Sequence, residues 1–226
     1  MERVGKTHRP HRHTVDGKGR GRRPRRGGPA QGPVVFRCLV EPVAADRGRA
    51  RFTLPQLPTA AGIPPENATI AAALGLASGD IGFSGLRPSC WSAGNPFVFV
   101  PVAGLAAIGR CQLDADKLDA AVGERGVYVF CAETVEPGHD FHARMFALRL
   151  GIREDPATGS AAAAFAGLLA AHDRLPDGEQ AVTIEQGYEM GRPSLINLTF
   201  VLAGGKLVSA SVGGDAVIAT QGTLEA

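Results

Sequence analysis

The sequence is poor in aromatic residues and in the motifs that mark a cofactor or membrane protein. It has one Trp and two Tyr among 226 residues, so we expect a core built mainly from Ala, Val, Leu and Ile. Neither the P-loop pattern nor GxGxxG after a strand occurs, which excludes the usual phosphate-binding loops. No apolar run has the length of a membrane span. We therefore expect no cofactor and no membrane partner.

The cysteines lack the spacing of a zinc site or a disulfide scaffold. Cys38, Cys90, Cys111 and Cys131 are far apart and form no CxxC pair. This pattern favours a reducing compartment and predicts no metal site. Two of them could serve as a racemase pair, but none lies in a glycine-rich turn before a helix, so we interpret them as buried thiols. Without the apolar segment of a signal peptide, a cytoplasmic location is expected.

Basic residues are concentrated at the N-terminus. Residues 1–32 contain ten Lys or Arg residues and two acidic residues, a net charge of +8. Residues 33–226 contain fourteen Lys or Arg residues and twenty acidic residues, a net charge of −6. The first segment has no periodic pattern of apolar residues and cannot bury enough apolar surface to fold. It could bind nucleic acid non-specifically. Its histidines could also bind a metal, but nothing in the segment gives them a fixed geometry. We prefer the hypothesis that it is out-of-frame translation of GC-rich DNA, and we expect no specific nucleic-acid partner.

Strands outnumber helices in the remaining sequence. Hydrophobic patterning predicts helices at residues 67–76 and 115–122, with Asp114 as the N-cap of the second. It predicts strands at residues 34–40, 51–55, 81–86, 96–102, 126–131, 181–186, 195–201, 206–212 and 216–220. Because strands and helices do not alternate strictly, an α+β fold with a curved sheet around a central helix is expected rather than a Rossmann fold.

Residues 154–161, EDPATGSA, are the most informative segment. They are followed by an almost wholly apolar run at residues 162–171, which predicts a helix buried on most sides. The first turn of that helix has N–H groups without intrahelical partners and the positive end of the helix dipole. Gly159 would let a ligand approach the backbone and Ser160 adds a hydroxyl. With Asp155 beside them, this arrangement suits a site that holds a carboxylate while a proton moves at carbon.

Other interpretations of these residues stay open. The same segment could be an ordinary helix-start turn in which Thr158 or Ser160 is the N-cap. Arg192 could bind a substrate carboxylate in a bidentate manner or serve a purely structural role. We expect Arg144 to pair with a nearby acid and Glu189 to be a solvated loop acid. His139, His142 and His172 are possible bases, of which the first and last are expected to be structural.

Four segments together resemble one family. They are EDPATGSA at 154–161, RMF at 144–146, EQGYEMGRPS at 185–194 and SAGNPF at 92–97. The chain from residue 32 to residue 226 resembles the PhzF-like phenazine-biosynthesis isomerase family, within the diaminopimelate-epimerase fold superfamily.

The resemblance implies a fold and roles for individual residues. The fold would be two similar halves, each a curved mixed sheet around a central helix, with the active site between them. The second half would be residues 94–212, and the first would comprise residues 33–93 and 213–226. Asp155 would be catalytic, and Gly159 and Ser160 would bind the carboxylate of a small metabolite. The chemistry would be cofactor-independent isomerisation or epimerisation, and the protein could be a homodimer.

The sequence departs from the family in its first half. The family carries a catalytic glutamate and a Gly-His-Pro-Thr helix start there, and neither is found in this sequence. We therefore expect the first half to be incomplete. The alternative function is that of a truncated or frame-shifted remnant, catalytically inactive, that at most binds a small acid or a partner protein.

Overall fold

Within the described part of the chain, eleven strands join into one mixed sheet. They are β1 (Cys38–Ala44), β2 (Arg47–Thr53), β3 (Thr59–Ala60), β4 (Ser89–Ser92), β5 (Pro96–Pro101), β6 (Gly126–Cys131), β7 (Phe141–Ala147), β8 (Ile152–Asp155), β9 (Gly178–Gln186), β10 (Ser194–Ala203) and β11 (Lys206–Val217). The computed structural model describes residues 38–44, 47–172 and 175–217, all within one compact unit that spans residues 35–226. The strands follow the order β1-β2-β11-β10-β9-β7-β6-β5-β4-β3, and β8 pairs with β7 beside this path. The pairs β5–β6 and β7–β9 are parallel, whereas the other pairs are antiparallel.

The elements have the following bounds. The helices are α1 (Asn67–Leu74), α2 (Leu105–Gly109), α3 (Ala115–Val122) and α4 (Gly159–His172), with 3₁₀ turns at Ser78–Asp80 and Leu148–Leu150.

The sheet curls around α4. Strands β3 and β4 at one end of the sheet and β10 and β11 toward the other all contact this helix. Every residue from Ala161 to Leu169 is buried, as expected for a helix that is apolar all round. At Gly167 a Cβ would lie 2.6 Å from the Trp91 ring and 2.9 Å from Pro58, so glycine permits the close approach of α4 to β3 and β4.

A second apolar layer covers the opposite face of the central strands. In β5, Phe97 and Phe99 pack with α4, whereas Val98 and Val100 pack with the layer that contains α1, α2 and α3. This alternation is the two-residue period of a strand covered on both faces. It explains why β5 and β6 read as unbroken apolar runs in the sequence.

The structure confirms the predicted α+β fold and several predicted elements. Helix α3 has the predicted bounds, and the Asp114 side chain accepts the hydrogen bond from the Lys117 backbone N–H as its cap. Strand β6 also has the predicted bounds, and β10 and β11 form the predicted hairpin. The domain boundaries inferred from the resemblance stay a prediction.

Other predicted elements were wrong. Residues 81–86 form two isolated bridges, Ile81 with Val102 and Phe83 with Leu86, rather than a strand, because glycines at 82 and 85 bend the chain at positive φ. The strand predicted at 216–220 is the continuation of β11 as far as Val217. The predictions also missed helix α2 and strands β3, β4, β7 and β8. The predictions for residues 1–32 and for the first part of the strand at 34–40 lie outside the described residues.

Candidate active site

The N-terminal end of α4 begins directly after β8. Asp155 is the last residue of β8, where it pairs with Met145 of β7, and Pro156 and Ala157 turn the chain into the helix. The Thr158 carbonyl accepts the first helical hydrogen bond, from Ala162 N at 3.1 Å. Thr158 is therefore the residue that caps the helix. We call residues 155–160 the α4 tip.

A chain of hydrogen bonds connects β9 to the α4 tip. The Thr158 hydroxyl lies 2.7 Å from Asp155 Oδ2. The Gln186 Nε2 donates to the Asp155 carbonyl at 2.6 Å and to Thr158 Oγ1 at 2.9 Å. The Thr158 N–H donates to Gln186 Oε1 at 3.4 Å. Gln186 is fully buried and Thr158 is 5% exposed, so this chain lies within the packed interior.

The prediction that Thr158 or Ser160 is the N-cap of the helix is confirmed only in part. Thr158 occupies the cap position, but its hydroxyl contacts Asp155 and Gln186. Among the hydrogen bonds of residues 38–44, 47–172 and 175–217, none joins that hydroxyl to a first-turn N–H. A usual N-cap side chain accepts from that turn. The first-turn N–H groups are therefore not occupied by the capping side chain.

The α4 tip is accessible. The Ser160 residue is exposed, and Asp155 and Gly159 are half-buried. A Cβ at Gly159 would lie 3.8 Å from Val212 and 3.9 Å from Phe52, which are ordinary contact distances. The described residues therefore leave the N-terminal end of α4 open. Neither backbone strain nor crowding within the protein requires a glycine at position 159.

The loop at residues 187–192 brings Arg192 near the α4 tip. Gly187 has φ +83°, and a Cβ there would lie 2.8 Å from the Pro156 carbonyl and 2.4 Å from the Arg192 carbonyl. The Arg192 N–H donates to the Gly187 carbonyl at 2.9 Å and closes the loop. The loop therefore packs on the turn that carries Asp155. The Arg192 residue is exposed, and its binding role stays a prediction.

Four side chains form what we call the histidine cluster: His139, His142, Glu185 and Glu189. The Glu185 carboxylate accepts from Val135 N at 2.8 Å, Glu136 N at 2.7 Å, and the Nδ1 atoms of His139 and His142 at 2.8 Å. The Nε2 atom of His142 lies 2.9 Å from Glu189 Oε1.

The contacts of His142 favour its protonated form. Both ring nitrogens face carboxylate oxygens, and only the doubly protonated ring can donate a hydrogen bond to each of them. Burial opposes this charge, but the hydrogen bonds to Glu189 and Glu185 outweigh burial and raise the pKa of His142. Burial likewise disfavours the charge on Glu185, yet the two histidines and two backbone N–H groups lower its pKa to about 2.

The histidine cluster corrects one expectation. Glu189 is an exposed loop residue, as expected, but its carboxylate pairs with His142 and its side chain is only 21% exposed. At the end of β9, Ile184, Glu185 and Gln186 are all buried. They are buried because β9 lies between β10 and β7 and its polar side chains are used in hydrogen bonds.

Arg144 pairs with an acid, as predicted. Its Nε and Nη2 atoms donate to the two carboxylate oxygens of Glu154 at 2.8 and 2.9 Å, and Nη1 donates to two backbone carbonyls. Glu154 and Asp155 are consecutive in β8 and so face opposite sides of the strand. The guanidinium is thus occupied by contacts on the side away from the α4 tip.

The described cysteines are buried and unpaired. Burial raises the pKa of Cys90, of Cys111 to about 11 and of Cys131 to about 12, so these thiols are neutral and weakly nucleophilic. The interpretation as buried thiols is confirmed for these three. In the described ranges no group of three or more His, Cys, Asp or Glu side chains is arranged so that it could hold a metal ion. No helix there has the length and hydrophobicity to span a membrane.

Comparison with known proteins identifies the family. The sequence model of the PhzC-PhzF family, phenazine biosynthesis-like protein, matches residues 36–222. The chain belongs to the PhzC-PhzF family. A relative named an uncharacterized isomerase, from Mesorhizobium japonicum, is 45% identical over 181 residues, which cover 77% of this chain and 60% of that protein. The trans-2,3-dihydro-3-hydroxyanthranilate isomerase of Pseudomonas chlororaphis is 34% identical over 134 residues, 58% of this chain and 45% of the enzyme.

Solved structures show the same fold. A PhzF-family phenazine biosynthesis protein from Bacillus anthracis superposes with a TM-score of 0.71 at 20% identity and covers 80% of this chain and 62% of its own. A predicted epimerase from Pseudomonas aeruginosa gives a TM-score of 0.55 at 24% identity and covers 84% of this chain and 70% of its own. The chain spans 60% or less of the curated relatives described here.

Sequence reasoning missed two parts of this candidate site. The contacts of Gln186 with the α4 tip depend on the parallel pairing of β7 with β9, which brings residues 141–143 beside residues 184–186. The histidine cluster depends on the same pairing. The available signal was the pair of polar residues Glu185 and Gln186 directly after Ile184, at the end of a predicted strand. Polar residues that are buried in a strand covered on both sides usually have hydrogen-bond partners inside the fold.

Proposed function

We propose that this protein is a cofactor-independent isomerase or epimerase that moves a proton at carbon on a small carboxylate-bearing metabolite. The observation that carries the proposal is the position of Asp155. Its half-buried carboxylate is oriented by Thr158 beside the accessible N-terminal end of α4. Membership of a family whose relatives include proteins named isomerases supports the reaction class.

The proposed chemistry follows from the charges that develop in the reaction. Asp155 would accept the proton from the carbon next to the substrate's acid group and return it to the same or another carbon, so that no net proton is lost. Proton removal places negative charge on the enolate-like substrate, and backbone N–H dipoles can stabilise that charge. Gly159 and Ser160 would bind the substrate carboxylate at the helix terminus, with Arg192 as a further anion-binding residue.

Deuterium exchange tests the proposal. Because three matching proteins from Pseudomonas species are named as its isomerases, trans-2,3-dihydro-3-hydroxyanthranilate is the first probe, followed by small amino and hydroxy acids. The protein in heavy water should place deuterium at carbon faster than Asp155→Asn does. Asp116→Asn, at an exposed position in α3, is the matched control and should behave as the wild type.

The alternative function gives the opposite result. Wild-type protein that exchanges no more deuterium than Asp155→Asn with every probe would favour a non-catalytic protein that at most binds a small acid or a partner. A rise in thermal stability with small carboxylates would then indicate binding without catalysis. The cytoplasmic location and the homodimer predicted from the sequence stay predictions.

A further inference from the structure

We propose that Thr158 and Gln186 are positioning residues that hold Oδ2 of Asp155 and leave Oδ1 to exchange the proton with the substrate. This inference rests on the proposed function, because it concerns how Asp155 would carry a proton. The direction of each hydrogen bond between β9 and the α4 tip supports this role for Thr158 and Gln186.

The Gln186 side-chain amide has one possible orientation. One end lies 2.6 Å from the Asp155 carbonyl oxygen, which can only accept a hydrogen bond, so that end is the NH₂ group. The other end faces the Thr158 N–H, which can only donate, so it is the oxygen. Exchange of the amide nitrogen and oxygen would set donor against donor and acceptor against acceptor.

The amide in turn orients the Thr158 hydroxyl. Gln186 Nε2 lies 2.9 Å from Thr158 Oγ1, and an amide nitrogen donates but does not accept. The hydroxyl oxygen must therefore be the acceptor, and its single proton is left for another partner. That partner is Asp155 Oδ2 at 2.7 Å.

The two carboxylate oxygens of Asp155 are therefore not equivalent. A proton on Oδ2 would face the proton of the Thr158 hydroxyl, whereas Oδ2 without a proton receives a charge-assisted hydrogen bond. Within the described part of the chain no hydrogen bond to Oδ1 is found. Asp155 would accordingly accept and release the proton at Oδ1.

The support for this arrangement is rigid. Gln186 is fully buried at the end of β9, and its neighbour Glu185 is held by four hydrogen-bond donors. Thr158 is fixed by the first turn of α4. A proton-transfer group held by secondary-structure elements keeps the geometry that the reaction needs, and a displacement of about 1 Å can reduce the rate on the order of 10²-fold.

Two substitutions at position 158 separate positioning from a general structural role. Thr158→Val keeps the shape and removes the hydroxyl, whereas Thr158→Ser keeps the hydroxyl. For deuterium exchange into trans-2,3-dihydro-3-hydroxyanthranilate, or the first probe that exchanges, we expect Thr158→Val to lower kcat on the order of 10²-fold with KM unchanged. Thr158→Ser should retain most of kcat. Thr199→Val, at a half-buried site in β10, is the control and should match the wild type.

A double substitution tests whether Gln186 acts through Thr158. Gln186→Met keeps the side-chain length and removes both donors, so it should lower kcat in the same way. The double variant with Thr158→Val should be no slower than the slower single variant, because both changes interrupt one path. Wild-type kcat in Thr158→Val, or an equal loss of kcat in Thr158→Ser, would overturn the proposal.

A second measurement does not depend on activity. Three-bond NMR couplings to the Asp155 carboxyl carbon report its χ1 angle and should show one rotamer in the wild type and in Thr158→Ser, but averaging in Thr158→Val. Unchanged couplings in Thr158→Val would overturn the positioning role. If the wild type exchanges no deuterium, the proposed function fails while the couplings still decide whether Thr158 orients Asp155.

Discussion

Glu185 and Asp155 lie at the ends of β9 and β8, two strands that both pair with β7, yet they have opposite surroundings. Glu185 is fully buried and accepts four hydrogen bonds. Asp155 is half-buried, and its carboxylate accepts a hydrogen bond from Thr158 on one oxygen. A buried acid whose oxygens are all occupied stabilises a fold. An acid with one oxygen available and access to solvent can exchange a proton with a ligand.

The largest effect is expected from removal of the buried acid. Glu185→Ala leaves His142 and two backbone N–H groups without their partner, and loss of one member of a buried ion pair costs about 3–5 kcal/mol. Urea unfolding followed by circular dichroism measures this change. Asp155→Asn is the matched comparison and should change the free energy of unfolding by less than about 1 kcal/mol. Equal losses in the two variants would contradict the distinction.

The next effect concerns the loop that joins the two regions. Gly187→Ala places a methyl group against the Pro156 and Arg192 carbonyls at φ +83°, which should cost about 1–3 kcal/mol. Gly159→Ala adds the same group where it makes ordinary contacts and should stay within about 1 kcal/mol of the wild type. Thermal unfolding of the two variants measures the difference. A Gly187→Ala protein as stable as Gly159→Ala would show that the loop does not pack on the α4 tip.

The pH dependence of stability should report the histidine cluster. The pKa of His142 is raised above its usual 6.5, so its contribution is complete below that pH and is lost as pH rises through the raised value. The pKa of Glu185 is lowered from 4.5 to about 2, so its contribution is present above 4.5 and is lost as pH falls toward 2. The contribution of the cluster should therefore be greatest between 4.5 and 6.5.

A substitution at His142 isolates that contribution. One proton gives a slope of at most about 1.4 kcal/mol per pH unit, and His142→Gln should remove this slope above neutral pH. Urea unfolding at several pH values measures it in both proteins. An identical slope in the two proteins would show that the ring does not carry the extra proton.

The smallest effect on stability is expected at the open end of α4. Ser160 is exposed, so Ser160→Ala should change the free energy of unfolding by no more than about 0.5 kcal/mol. The same substitution should weaken binding of a carboxylate ligand about tenfold, because it removes a hydrogen bond to a charged group. Calorimetry measures the affinity, with the exposed Ser78→Ala as control. An unchanged affinity would remove Ser160 from the proposed site.

Local patterns predicted much of the fold and part of the candidate site. Asp114 and Gly123 define the ends of α3 through capping and turn preferences that act within a few residues. The apolar run after residue 161 predicted a buried helix. The strand predicted at residues 81–86 was wrong because strand propensity does not show that the glycines at 82 and 85 bend the chain at positive φ.

Covalent order alone ensures that an acid, a tight turn and an apolar helix follow one another at residues 154–171. Which oxygen of Asp155 is held, and by which partners, depends on contacts that form only in the folded chain. Gln186 is 31 residues from Asp155 along the chain, and the parallel pairing of β7 with β9 places it behind the helix. Pairing between distant strands depends on how the whole sheet closes around α4, which no local pattern encodes.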